Sequence, residues 1–331
     1  MLPSLPELLD TAHVVSLRLV TTFRGIDTRE AVLFQGPNGW SEFSPFTEYA
    51  DAEAATWLRA AIDYGWEPNL PVPLRNRITV NATVPAVQPG AVAGVLARFP
   101  GCRTAKVKVA EAGQPQADDV ARVRAVREVL GPEGRIRVDA NGNWNVDEAE
   151  HAIRALAEFD LEYVEQPCAT VGELFEIRRR VKYMGVPIAA DESVRKAEDP
   201  LAVAAARAAN ILIIKAQPLG GITQALAIVR QAGLPVVVSS ALDTSVGLAM
   251  GAHLAGSIPE LEYDCGLGTA SLLAADVTAS PLIPVGGSIP VHRVEVDPVL
   301  LHQHAAAQPR RDWWLARLTR CHALLAAGQP R

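Results

Sequence analysis

Short apolar, β-rich runs recur at a nearly constant interval along most of this 331-residue chain. They read ITVNATV (78–84), AKVKV (105–109), RIRVDA (135–140), LEYVEQ (161–166), PIAADE (187–192), ILIIKA (211–216), LPVVVSS (234–240) and ELEYDCG (260–266). Between them lie Ala-, Arg- and Glu-rich segments with helical spacing, such as DDVARVRAVREVLG (118–131) and NVDEAEHAIRALAEF (145–159). Strand and helix alternating at this period predict successive βα units. Eight units favour a closed parallel barrel over an open sheet.

The flanks follow another pattern. VVSLRLV (14–20) and EAVLFQGPNGWSEFSPF (30–46) read as strands joined by turns, with PNG as a hairpin signal, and DAEAATWLRAAIDY (51–64) reads as a helix. A small α+β domain therefore precedes the barrel. Beyond about residue 285 the pattern turns irregular, and RRDWWLARLTRCHALLAAG (310–328) reads as a terminal helix.

With 49% hydrophobic and 21% charged residues the chain can bury a core of barrel size. A net charge of -6 argues against a partner held through nucleic-acid phosphates. Cys102, Cys168, Cys265 and Cys321 show no CxxC or CxxH spacing, so reduced thiols of a cytoplasmic protein are expected rather than a zinc site or a disulfide framework. MLPSLPELLD has neither a basic n-region nor a long apolar run; no signal peptide and no membrane span are expected. The sequence does not choose between monomer and homo-oligomer.

The chemistry lies in the phase of the polar residues. Asp139, Glu165, Asp191 and Lys215 each follow an apolar run, at separations of 26, 26 and 24 residues. Each thus occupies the C-terminal end of its strand, where a barrel gathers its functional side chains. Three carboxylates converging in a partly dry mouth raise one another's pKa unless a cation intervenes. All-oxygen ligation favours Mg²⁺, with Mn²⁺ able to substitute. Taken singly, each carboxylate could instead cap a helix or pair with an arginine. In KVKV, Lys106 and Lys108 lie two apart and share a face; inside a barrel both point to the interior, whereas alone the pattern reads as an exposed edge strand. A partly desolvated lysine near another cation is a candidate base, and a dication on a carboxylate stabilises the enediolate left when an α-proton is removed.

KVK (106–108), VDANGNW (138–144), VEQP (164–167), ADES (190–193) and IIKAQPLGG (213–221) resemble the muconate lactonizing enzyme subgroup of the enolase superfamily. FRGIDTREAVLF (23–34) and GWSEFSPF (39–46) extend the resemblance into the small domain. It implies a (β/α)₇β TIM-like barrel at 78–284, an α+β capping domain at 1–77, and a C-terminal segment, 285–331, returning to that domain. It further implies Mg²⁺ on Asp139, Glu165 and Asp191, Lys108 as the base that also returns a proton to a departing hydroxyl, and Lys215 on the opposite face.

RITVNATVPAV (77–87) and CGLGTA (265–270) are similar to the dehydrating members, which implies loss of water from a hydroxylated cyclohexadiene carboxylate. Supporting roles fall to Lys106 beside Lys108, to Arg137 as a substrate contact or a structural ion pair, and to Asn141 as an orienter of the first metal ligand or a turn residue. Ser239 and Ser240 are read as substrate contacts or helix caps, and Gly266 and Gly268 as points of close backbone approach to a ligand or as turns. Phe23, Arg24 and Phe46 lie in segments that close over the mouth in this family, and Glu262 and Asp264 are read as structural or peripheral. Alternatives are N-acylamino acid racemisation, dipeptide epimerisation and muconate cycloisomerisation. From other classes come a Schiff-base aldolase using Lys215 and a non-catalytic binding barrel.

Overall fold

The computed structural model describes residues 2–195 and 199–328. Its N-terminal part is an antiparallel sheet of β1 (His13–Phe23), β2 (Ile26–Gly36) and β3 (Gly39–Phe43), in that order. The β1–β2 turn is made by Arg24 and Gly25, both with positive φ (51° and 75°). The helix Asp51–Trp66 covers one face, and the terminal helix Gln308–Ala326 packs beside it. Phe34, Phe43, Phe46, Trp57 and Trp314 form the shared core, and Trp314 Nε1 donates to Glu30 Oε2 at 2.9 Å. The chain's last helix is thus part of the N-terminal layer.

β4 (Arg77–Thr79) pairs with β12 (Ser288–Pro290) as a small antiparallel ribbon. Between them runs the parallel sheet: β5 (Ala82–Val84), β6 (Thr104–Lys108), β7 (Arg135–Asp139), β8 (Leu161–Glu165), β9 (Ile188–Ala190), β10 (Ile211–Ile214) and β11 (Val236–Val238), each beside the next. Alternation sorts the side chains. Ala105, Val107, Ile136 and Val138 join the core beneath the helices, while Lys106, Lys108, Arg137 and Asp139 turn inward. The intervening helices start where the sequence signals them: Asn145 and Glu148 form a capping box for Val146–Leu156, as do Thr170 and Glu173 for Val171–Val181.

Two runs behave differently from the repeat. ITVNATV is divided between β4 and β5. ELEYDCG forms no ladder strand; Cys265 bridges to Val80 and Gly266 to Ser239, which closes the ring between its first and last members. Both contacts fall outside the neighbouring strands, at Val80 before β5 and at Ser239 after β11, and neither extends into a ladder. Among the described residues, no helix is long and apolar enough to cross a membrane, and all four cysteines are free.

Candidate active site

Strand register assembles the mouth. Lys108 pairs with Asp139 and Asp139 with Glu165, which places the three in one tier across adjacent strands. Asp191 and Lys215 each come one residue after the end of a strand, β9 and β10, and continue the arc. Lys106 sits one tier deeper. The three carboxylates are at most 1% exposed and the three lysines 7–8%.

Lys106 Nζ donates to Glu165 Oε1 at 2.9 Å and to Asp139 Oδ2 at 3.2 Å. Lys108 Nζ donates to Asp139 Oδ2 at 2.5 Å and to Asn141 Oδ1 at 2.7 Å. Lys215 Nζ donates to Asp191 Oδ2 at 2.5 Å. Burial lowers the pKa of Lys108 and Lys215 despite their carboxylate partners. For Lys106 burial acts the same way, but Glu165 and Asp139 outweigh it and hold the ammonium charged. Burial, then Asp139, pushes Glu165 up to about 8. Burial also opposes ionisation of Asp139 and Asp191, but Lys108 and Lys106 on the first, and Lys215 and Arg195 on the second, keep both low.

Charges balance in number here but not in contacts. Glu165 Oε2 and Asp191 Oδ1 are buried and accept no hydrogen bond, although Arg195 Nε lies 3.2 Å from the latter as an ion pair. Among the described residues no three acidic, His or Cys side chains are gathered closely enough to grip an ion as they stand. Lys106 lies between Asp139 and Glu165, and Lys215 holds Asp191 from another side. Buried carboxylate oxygens without donors, in an all-oxygen set, fit a hard divalent cation, whose binding would require these ammonium contacts to loosen.

Small polar side chains fix the frame. Asn141 (φ 49°) donates its backbone N–H to Asp139 Oδ1 at 3.0 Å and its Nδ2 to Glu192 Oε1 at 3.1 Å, so it is both a turn residue and a partner of the acidic tier. Gln166 (φ 39°), within the VEQP motif but not singled out from the sequence, accepts from the backbone of Asp191 at 2.9 Å and Ser193 at 3.2 Å. Phe23, Arg24, Phe46, Ser239, Ser240 and Gly266 all line the cavity with the lysines.

For Arg137, for Ser239 and Ser240, and for Gly266 and Gly268, each read in two ways from the sequence, the structure shows which contacts are made. Arg137 lies at the opposite end of the barrel, where its Nε donates to Glu162 Oε2 at 2.5 Å; it is the ion pair and not a substrate contact. A bulge in β8 beside Ile136 and Arg137 breaks the register there. Ser239 and Ser240 are not helix caps, because the next helix, Ser245–Ser257, is capped by Thr244; Ser240 Oγ donates to Gly266 O at 2.9 Å. Gly266 offers no free N–H, since it donates to Val238 O at 2.8 Å, and its missing Cβ makes room for Ser239 Oγ, which would lie 2.5 Å away. Gly268 packs against Asn81 and Phe99 outside the cavity lining. Asp264 accepts from Thr104 Oγ1 and Arg135 NH2, both at 2.6 Å, away from the mouth, and Glu262 is exposed.

Arg195 also escaped sequence reading. Its signal was its spacing, one helical turn after Asp191 in ADESVR; it lines the cavity and donates NH2 to Glu192 Oε1 at 2.7 Å and NH1 to Tyr49 Oη at 2.9 Å.

Family models described as enolase N-terminal domain-like and enolase C-terminal domain-like match residues 14–65 and 92–295. The chain is 54% identical over 323 residues to the o-succinylbenzoate synthase of Mycobacterium marinum, covering 97% of this chain and 96% of that one. It is 55% identical over 328 residues to that of Mycobacterium leprae, covering 98% and 95%. Muconate lactonizing enzyme from Pseudomonas fluorescens, complexed with muconolactone, shares the fold with a TM-score of 0.76 at 19% identity, over 89% of this chain and 98% of that one. The L-Ala-D/L-Glu epimerase of Bacillus subtilis does so with a TM-score of 0.73 at 22% identity, over 86% and 96%.

Proposed function

The chain belongs to the o-succinylbenzoate synthase family of the enolase superfamily, and on that premise we propose that it dehydrates 2-succinyl-6-hydroxy-2,4-cyclohexadiene-1-carboxylate to 2-succinylbenzoate, a step of menaquinone biosynthesis. It is a hydro-lyase. The observation that carries this reading is identity above half along nearly the whole chain with o-succinylbenzoate synthases, against 22% with the epimerase and 19% with the muconate lactonizing enzyme that share the fold.

Asp139, Glu165 and Asp191 would hold a divalent ion, which would supply positive charge to stabilise the enediolate form of the substrate carboxylate. Magnesium suits this oxygen set, and manganese can replace it. Lys108 takes the α-proton; the C–H electron pair becomes a ring double bond as the C–O bond breaks, and Lys108 returns its proton to the departing hydroxide as water. One lysine serves both steps, as amine and then as ammonium, when proton and hydroxyl leave from the same face. Lys215 lies on the other side of the cavity, where its charge faces the growing anion and the ring. Lys106, charged, pulls Lys108 toward the neutral form a base requires.

The test is conversion of the cyclohexadiene carboxylate by the native chain, followed by aromatic absorbance. With Mg²⁺ the aromatic product forms; with chelator it stops, and added Mg²⁺ restores it. Racemisation of N-acylamino acids without any aromatic product would defeat the proposal.

A further inference from the structure

Glu42, on β3 of the N-terminal layer, is fully buried and is not itself part of the cavity lining. Its carboxylate reaches into the barrel and accepts from the start of the helix Ser245–Ser257: from Thr244 Oγ1 at 2.6 Å, Thr244 N at 3.1 Å and Gly247 N at 3.0 Å. Ser44 Oγ, on its own chain segment, donates to it at 2.5 Å. The first N–H groups of a helix have no partners within it, and negative charge is favoured there. Here a different domain supplies that charge. The fit leaves no slack: a Cβ on Gly247 would come within 2.9 Å of the Glu42 carboxyl carbon and 2.7 Å of Asp243 Cβ.

The same junction holds the roof of the site. Arg29, on the neighbouring strand β2, donates Nε to Leu242 O at 3.2 Å and NH2 to Ser44 O, and its guanidinium lies 4.6 Å from the centre of the Phe46 ring. Gln217, two residues after Lys215, donates to Ser44 Oγ at 3.2 Å and Asp243 Oδ1 at 3.0 Å. Leu242 and Phe46 both line the cavity. Glu42 is therefore joined to the substrate space through the segments that carry these two residues. Its charge is costly, since burial and then Asp243 raise its carboxyl to about 7, and its hydrogen-bond donors are all uncharged.

We propose that Glu42 is a positioning residue for the dehydration, keying the N-terminal layer onto the start of the helix Ser245–Ser257 and thereby setting the height of the Phe46–Leu242 roof. The kinetic arm of the test rests on the synthase reading; the exchange arm does not.

The variants are Glu42→Gln, which keeps the shape and loses the charge, and Gly247→Ala, which crowds the socket from the barrel side while favouring the helix. Both are compared with the native full-length chain in Mg²⁺, well below their unfolding temperatures. In each, KM for the cyclohexadiene carboxylate rises about tenfold while kcat changes less than about threefold, and the double variant is no worse than the more severe single one. Hydrogen exchange quickens about tenfold at amides 41–46 and 242–248 and stays unchanged in Thr104–Lys108. Native KM with native exchange overturns the proposal, as does a loss confined to kcat. If the native chain itself yields no aromatic product, the synthase reading fails, and exchange alone decides the keying role.

Discussion

The barrel buries charge at both ends of the same strands and treats it in opposite ways. At the floor, Arg137 is held by Glu162, by Asn81 Oδ1 at 3.2 Å and by Asp264 O at 2.7 Å, and it lies 4.8 Å from the centre of the Tyr163 ring. Arg135 and Thr104 engage Asp264 beside it. Among the described residues there, Arg137 NH2 and Tyr163 Oη make no hydrogen bond, and the guanidinium lies over the Tyr163 ring. At the mouth, two residues along β7, Asp139 belongs to a tier in which Glu165 Oε2 accepts no hydrogen bond and Asp191 Oδ1 meets only the Arg195 ion pair. What the floor leaves over is a guanidinium nitrogen and a phenol hydroxyl beside an aromatic ring; what the mouth leaves over is carboxylate oxygen, which prepares a place for a cation.

The largest effect separating the two ends is expected from Glu165→Gln. Turnover should fall at least about a hundredfold. The metal-free protein should unfold at the same temperature or higher, because a crowded carboxylate has been replaced by its neutral isostere. Mg²⁺ should no longer raise that temperature, whereas in the native chain it should. A Glu165→Gln variant still stabilised by Mg²⁺ would remove Glu165 from the ion's ligands. At the floor, Arg137→Met should cost about 3 kcal/mol in urea unfolding, by taking the donor from Asn81 Oδ1 and Asp264 O and leaving Glu162 only Arg135 at 3.7 Å, while kcat of the folded protein stays within about threefold of native. Turnover lost at unchanged stability would transfer Arg137 to the active site after all.

The smallest effect sharpens the contrast from outside the barrel's charges. Burial pushes the thiols of Cys168 and Cys265 up to about 12. Neither should react with iodoacetamide at about pH 8 until the chain unfolds, and mass spectrometry would read this directly. Rapid labelling of Cys265 in the folded protein would show that the ring closure at Cys265 and Gly266 is open in solution.

The mouth was legible in the sequence because it follows a period: strand ends recur every two dozen residues, and their polar residues recur with them. The floor was not, because its chemistry depends on events without a period. A one-residue bulge in β8 disturbs the pairing beside Arg137, and Arg137 shares its strand face with Asp139, so alternation alone could not tell floor from mouth. The eighth run had the composition of a strand but meets its neighbours only through single bridges, at Val80 and Ser239. The Glu42 junction joins residues about two hundred positions apart through a helix start, and no local pattern in GWSEFSPF points to Thr244 or Gly247. Gln166 lay inside a motif already singled out for its neighbours, and Arg195 two residues beyond one.

The claim on which the rest depends is that the carboxylates hold the ion while Lys108 moves the proton. Lys108→Ala separates the two, assayed for aromatic product and, in the same preparation, for Mg²⁺ binding by calorimetry. The expected result is turnover lower by about a thousandfold with Mg²⁺ affinity within a few-fold of native. Turnover near the native rate, or loss of Mg²⁺ binding along with it, would contradict that division of labour.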